Sequence, residues 1–264
     1  MKTLIKAAIV AVTFALVGTN AQAQDVVRIG TEGAYPPFNS IDENGNLVGF
    51  DIDIANALCD AAGYTCEFVV QDWDGIIPGL LAKKYDAIIA SMSITAERAE
   101  QVDFTNKYYN TPAKFIKPKG MDLDIPEDVA AANAALAGMK VGVQRATIHE
   151  NFIRDNFPDV EVVVYATQDE ANLDLANGRV DLVMADSVAL DEGFLQTDNG
   201  ADFEFVGPDY NDPRWHGEGA GIAVRKGEPE LLAGLNAALA QILADGTYKA
   251  INDKYFDFDV YGSQ

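Results

Sequence analysis

The sequence predicts an α/β fold of two similar halves, each a mainly parallel sheet flanked by helices. Three observations point to it. From Val26 onward, short apolar runs of strand character alternate with stretches whose apolar residues fall at helical spacing. The same alternation starts again near Met139. One segment also echoes another: Lys84-Tyr85-Asp86-Ala87-Ile88-Ile89-Ala90-Ser91 resembles Arg179-Val180-Asp181-Leu182-Val183-Met184-Ala185-Asp186. Each half then holds a strand ending in small and polar residues, where α/β sheets place their ligands. Two ordinary buried strands converging on one pattern would look the same.

The first 23 residues read as a targeting segment. Lys2 and Lys6 form a basic start, residues 7–17 an apolar run with one Thr, and Ala21-Gln22-Ala23 a cleavage pattern before Gln24. The run is too short to span a bilayer. The alternative is an uncleaved anchor; a lipoprotein would need a Cys where Gln24 stands. The expected product is exported, with no membrane insertion after cleavage.

In the first half, residues 26–30 read as a strand. Residues 51–62 follow as a helix with Ile54, Leu58 and Ala62 on one face. Then come a strand at 66–70, a helix at 75–83 and a strand at 85–90. In the second half, strands are expected at 139–143, 161–165 and 180–184, and helices at 147–156, 168–176 and 187–195. Between the halves, Lys117-Pro118-Lys119-Gly120 and Ile125-Pro126 have linker character. The tail, 229–255, is helical and broken at Gly246.

Composition narrows the function. The chain has 264 residues, 41 acidic against 19 basic, for a net charge of −22. That charge disfavours nucleic acid and anionic membranes as partners. It would steer a cationic ligand, or simply keep a surface solvated. Two His and two Cys leave little material for a zinc site, so no metal and no cofactor are expected. In an oxidising compartment Cys59 and Cys66 read as a local disulfide between a helix end and the next strand. Two buried thiols are the alternative.

Four motifs carry a resemblance. They are Gly30-Thr31-Glu32-Gly33-Ala34-Tyr35-Pro36-Pro37-Phe38-Asn39, Val48-Gly49-Phe50-Asp51-Ile52-Asp53-Ile54, Ser91-Met92-Ser93-Ile94-Thr95-Ala96-Glu97-Arg98, and Val102-Asp103-Phe104-Thr105. The tail residues Asp245-Gly246-Thr247-Tyr248 and Lys254-Tyr255-Phe256-Asp257 match as well. Over essentially the whole mature chain, the sequence resembles the periplasmic polar-amino-acid-binding proteins. The nearest group is the lysine/arginine/ornithine, histidine and opine binders that feed ABC importers. The cysteine pair falls where that group has its disulfide. The resemblance implies a two-lobed fold with a two-stranded hinge: lobe 1 at 25–112 plus 217–264, lobe 2 at 113–216. The hinge is expected at 107–112 and 215–219. It further implies a monomer in the periplasm that closes on a small-molecule amino acid or opine and hands it to a membrane permease, with no chemical step.

The resemblance also assigns roles. Arg98 would hold the ligand α-carboxylate through a bidentate fork; on spacing alone it could equally be a surface Arg paired with Glu97 or Glu100. Ala90, Ser91 and Ser93 would contact the ligand from one wall, Gln144 and Thr147 from the other. Thr147 also reads as a helix N-cap, and the two roles are compatible. Asp186 would balance the α-ammonium, or cap a helix. Glu32, Tyr35 and Trp73 would receive a cationic side chain between aromatic faces, the alternative for the rings being core or hinge packing. The second lobe departs from the pattern: Ala146 stands where many relatives have Gly, and Ile148 and His149 replace polar residues. This stretch resembles the opine-binding branch. His149 reads either as a helix-surface residue or as a contact to an extra ligand group. Two other classes remain open: a fold-related dehydratase using Glu32 or Asp186 as proton carrier, and a ligand-sensing partner of a membrane receptor.

Overall fold

The computed structural model describes residues 26–262. The expected signal segment, residues 1–23, lies outside them. Strand β1 (Val26–Thr31) leads into a small antiparallel sheet of β2 (Ala34–Tyr35), β3 (Asn39–Ile41) and β4 (Leu47–Val48). Helix α1 (Phe50–Ala62) buries Phe50, Ile54 and Leu58, one turn apart, on one face. It stops at Gly63, which takes a left-handed φ of 72° and caps the last turn. Strand β5 (Thr65–Val70) then runs parallel to β1, and the Cys59–Cys66 disulfide ties α1 to it. Next come α2 (Ile76–Leu81), β6 (Ala87–Ile88), α3 (Ala96–Ala99) and β7 (Val102–Phe104).

The second sheet uses β8 (Ala113–Pro118), β9 (Lys140–Gln144), β10 (Glu161–Tyr165), β11 (Leu182–Asp186) and β12 (Phe203–Tyr210). Helices α4 (Val129–Leu136), α5 (Ile148–Asn156), α6 (Gln168–Ala176), α7 (Ser187–Leu190) and α8 (Pro213–His216) connect them. The chain then returns to the first sheet as β13 (Ala223–Arg225), followed by α9 (Pro229–Asp245) and α10 (Thr247–Tyr255).

Both sheets share one plan. Their orders are β5-β1-β6-β13-β7 and β10-β9-β11-β8-β12. In each, only the fourth strand runs against the others. The fold is therefore two-lobed α/β with mainly parallel sheets. Around the first sheet, one core joins Ile29 to Leu58, Leu239 and Tyr248, and another gathers Ile76, Leu80, Tyr85 and Met92. The second sheet likewise separates two cores, around Phe115 and Phe152 and around Leu175 and Val183.

Several expectations need correction. The breaker-rich stretch at Lys117-Pro118 is no linker: it ends β8, inside the second sheet, where Pro118 sits opposite Phe203. Within the expected hinge, Trp215 and His216 are helical, because Asp212 caps the turn and Pro213 starts it. The extended contact between the two crossing segments lies further along, at Tyr109 and Ala220. The paired strand expected over 85–90 shrinks to β6, and the helix at 187–195 changes to a wider turn after Leu190.

Candidate functional site

The parallel strands β1, β5, β6, β9 and β11 end around one small cavity. Its lining is Glu32, Tyr35, Trp73, Ala90, Ser91, Ser93 and Arg98 from the first sheet's side. Gln144, Thr147, Ile148, His149 and Asp186 come from the second. All eleven residues expected at a site thus meet at one place, together with Ile148. The collection follows from topology: loops leaving the carboxyl ends of parallel strands share one edge.

Arg98 sits in the short helix α3, whose N-cap Thr95 accepts from the Arg98 backbone N–H. Its guanidinium turns inward, donates to the Ser93 carbonyl at 3.0 Å and lies 5.2 Å from the centre of the Trp73 ring. It forms no ion pair with Glu97 or Glu100, so the surface-pair reading is overturned. Burial lowers its pKa to about 10, leaving it charged at neutral pH.

Asp186 occupies the N-cap position of α7, yet its side chain makes no capping bond. The carboxylate instead accepts from Tyr35 Oη at 3.0 Å and Thr111 Oγ1 at 2.9 Å. Burial raises its pKa to about 6. Thr147 does cap: its Oγ1 accepts from the Glu150 N–H and donates to the Gln144 carbonyl at 2.7 Å. The backbone N–H groups of Ile148 and His149, both residues of the cavity lining, are left without intrahelical partners. His149, on that first turn, is buried, which overturns the helix-surface reading. Burial, with His216 and Arg98 nearby, lowers its pKa to about 3 and keeps the imidazole neutral. Its Nδ1 has no hydrogen-bond partner.

Glu32 is only 7% exposed and forms no ion pair among the described residues. Burial raises its carboxyl pKa to about 7, against the smaller opposing effect of a hydrogen bond from Gln144 Nε2 at 2.5 Å. Trp73 Nε1 donates to the Ala146 carbonyl at 3.1 Å, and Arg145 pairs with Asp74 at 3.3 Å. Gln144, Arg145 and Ala146, three consecutive residues, therefore each reach across the cavity mouth. Ala146 does so at a left-handed φ of 59°.

Sequence reasoning missed Asp51, fully buried beneath the cavity floor. It accepts from Asn39 Nδ2, Ser91 Oγ and Tyr108 Oη at 2.8, 2.9 and 2.7 Å. This network takes both the Ser91 hydroxyl and, through Tyr108 Oη at 3.1 Å, its backbone N–H, and holds the residue at a left-handed φ of 55°. Asp51 lies in the first turn of α1, where an acid favours the helix dipole whatever else it does, so its position alone does not mark it. Thr111 and Ile148 were also missed; nothing local marks either.

Comparison with known proteins agrees with this arrangement. The model of the bacterial extracellular solute-binding proteins, family 3, matches residues 27–258. The L-arginine-binding protein of Pseudomonas aeruginosa is 51% identical, covering 91% of this chain and 92% of that one. A solved Salmonella typhimurium periplasmic binding protein, described for high arginine specificity, superposes with a TM-score of 0.80 at 34% identity. It covers 88% of this chain and 99% of that one. An ancestral amino-acid-binding protein that preceded cyclohexadienyl dehydratase superposes at 0.77 and 33% identity, over 88% and 96%. The fold, the cavity and the matched span agree: this chain belongs to the bacterial extracellular solute-binding proteins, family 3.

Proposed function

We infer that the protein binds a basic amino acid of the arginine, ornithine, lysine and histidine class, or an arginine-derived opine, in the periplasm. It delivers this ligand to an ABC-type import permease. One observation carries the reading: Glu32 is a buried carboxylate with no cation opposite it among the described residues, so a cationic ligand group supplies the missing charge. At the other end of the cavity, Arg98 receives the α-carboxylate through paired N–H donors, and the free N–H groups of α5 add to it. Asp186, ordered by Tyr35 and Thr111, receives the α-ammonium. Ala90, Ser91 and Ser93 supply the facing wall, and Tyr35 and Trp73 flank the side chain. The segments 25–112 plus 217–264 and 113–216 act as lobes that close on the ligand as a monomer. The relatives named above support the ligand class. No step here makes or breaks a bond.

A dehydratase remains the competing outcome, because Glu32 holds a transferable proton near neutral pH and one structural relative preceded such an enzyme. Calorimetry on ligand-stripped protein with arginine, ornithine, lysine, histidine, octopine and nopaline tests the reading, with glutamate and glutamine as controls. A prephenate turnover assay tests the competitor. Glu32→Gln keeps the shape and removes the charge, and should weaken the best ligand by roughly 1.5–3 kcal/mol. Unchanged affinity would remove the basic-ligand reading.

A further inference from the structure

Gln144 is 3% exposed and ends β9, while Glu32 follows β1 in the other sheet. Its amide nitrogen makes both of its hydrogen bonds to acceptors: Glu32 Oε1 at 2.5 Å and the Ala166 carbonyl at 3.2 Å. A carbonyl can only accept, so the Ala166 contact alone fixes which end of the amide is nitrogen. The amide oxygen must then point the other way. It has no hydrogen bond among the described residues, nor is it among the sealed polar atoms that lack partners. Gln144 lines the cavity, so this oxygen is open to it. The second oxygen of Glu32 is in the same position: no recorded partner, and not sealed.

Two cavity-lining side chains joined by a hydrogen bond thus each keep an acceptor oxygen without a partner among the described residues, one on a carboxylate and one neutral. We propose that Gln144 selects the distal group of the ligand, favouring a planar guanidinium over an ammonium. The inference rests on the basic-ligand reading and narrows it. A guanidinium carries N–H donors on adjacent nitrogens in one plane, so one face of its fork meets Glu32 while another N–H meets the Gln144 carbonyl. An ammonium is a compact centre. Its three donors sit on one nitrogen and its hydration is stronger, so it gains less than a fork from a second, neutral acceptor and loses more on leaving water. The same Gln144 bond crosses from one sheet to the other. Recognition of the distal group is therefore joined to one of the contacts that hold the two walls together.

The test compares Gln144→Leu with the parent, using calorimetric titrations of arginine and lysine. Leu keeps an apolar body of similar size and removes both the donor to Glu32 and the acceptor to the ligand. Arginine affinity should fall about tenfold, the scale of one hydrogen bond to a charged group. Lysine affinity should also fall, because the bond to Glu32 is lost for both ligands, but by less, so the readout is the arginine-to-lysine ratio, which should drop severalfold. Gln144→Asn, which keeps an amide but withdraws it by one methylene, should lower the preference by an intermediate amount and serves if the Leu variant does not fold. A preference left unchanged or increased by both variants would overturn the role of Gln144 while leaving the basic-ligand reading intact. A parent protein that binds neither arginine nor lysine would overturn both.

Discussion

At the scale of single residues, the site is a set of charges kept out of water for a ligand to answer. Glu32 is buried and Arg98 and Asp186 are half-buried, and among the described residues none has an ion-pair partner that neutralises it at close range; the contact of His149 with Asp186 is 3.9 Å and involves a neutral imidazole. Such a site is costly when empty and favourable when filled, which couples binding to protons. Glu32 ionises at about 7 in the folded protein, because burial disfavours its charge. Below that pH a cationic ligand must displace a proton, and above it need not. Affinity for arginine should therefore fall as pH drops from 8 to 6, approaching about tenfold per unit. Asp186, raised to about 6, adds to the slope below that value. Glu32→Gln should flatten the profile between pH 8 and 6 and leave the lower part. The sign for stability is the reverse of an ordinary salt-bridged acid. The folded state holds this proton more tightly than the unfolded chain, so ionised Glu32 costs stability above about 7 and nothing below its ordinary range. Melting of the ligand-free protein at pH 8 should rise in Glu32→Gln, and a fall would contradict this account.

At the scale of elements, short caps and ties place the site's side chains. Thr147 starts α5 and leaves the N–H groups of Ile148 and His149 without intrahelical partners; Thr95 starts α3 and sets Arg98. Gly63 ends α1 so that β5 can begin, and the disulfide closes that turn over a separation of 7 residues. In the chain-entropy picture a loop of this length contributes about 2.5 kcal/mol. Reduction, or Cys59→Ser with Cys66→Ser, should lower stability by about that amount. At about 2–4 °C per kcal/mol, the melting temperature should drop by about 5 °C or more. Arginine affinity should hold within about twofold, since neither sulfur lines the cavity. An alkylating reagent should label neither cysteine before reduction. Labelling of both in the oxidised protein would sink the assignment.

At the scale of the molecule, residues 144–146 make three contacts between the two sheets' sides, beside the bond of Tyr35 with Asp186. Gln144 with Glu32 is the inner contact, Ala146 with Trp73 lies beside it, and Arg145 with Asp74 is at the rim. The rim pair is about half exposed on both sides, 51% and 46%, so its contribution is small, about 0.2–1 kcal/mol. Arg145→Ala should therefore speed ligand release by no more than about fivefold in stopped-flow experiments, without changing which ligand is preferred. In about 1 M salt, where screening acts beyond about 3 Å, parent and variant should converge. A larger effect that persists in salt would mean that Arg145 holds the walls by packing and not by charge.

Much of this was legible before any coordinates. Helix α6 and strand β10 fall where periodicity put them, and α9 and α10 divide at Gly246, which adopts a left-handed φ of 88°. These features depend on contacts within a turn or two, so local order carries them. Five of the eleven cavity residues, Glu32, Tyr35, Ser91, Ser93 and Arg98, stand inside the four motifs, and the other six were expected from the resemblance those motifs carry and not from local spacing. What stayed hidden depends on partners distant in sequence. Strands β7, β8, β12 and β13 are defined by antiparallel neighbours, and β13 completes the first sheet only after the chain has built the second. The burial of His149, the hub at Asp51 and the 112-residue reach from Glu32 to Gln144 have no local signature. A side chain's charge and hydrogen-bonding capacity are written in its identity, but its exposure and its partner are set by what the rest of the chain folds against it.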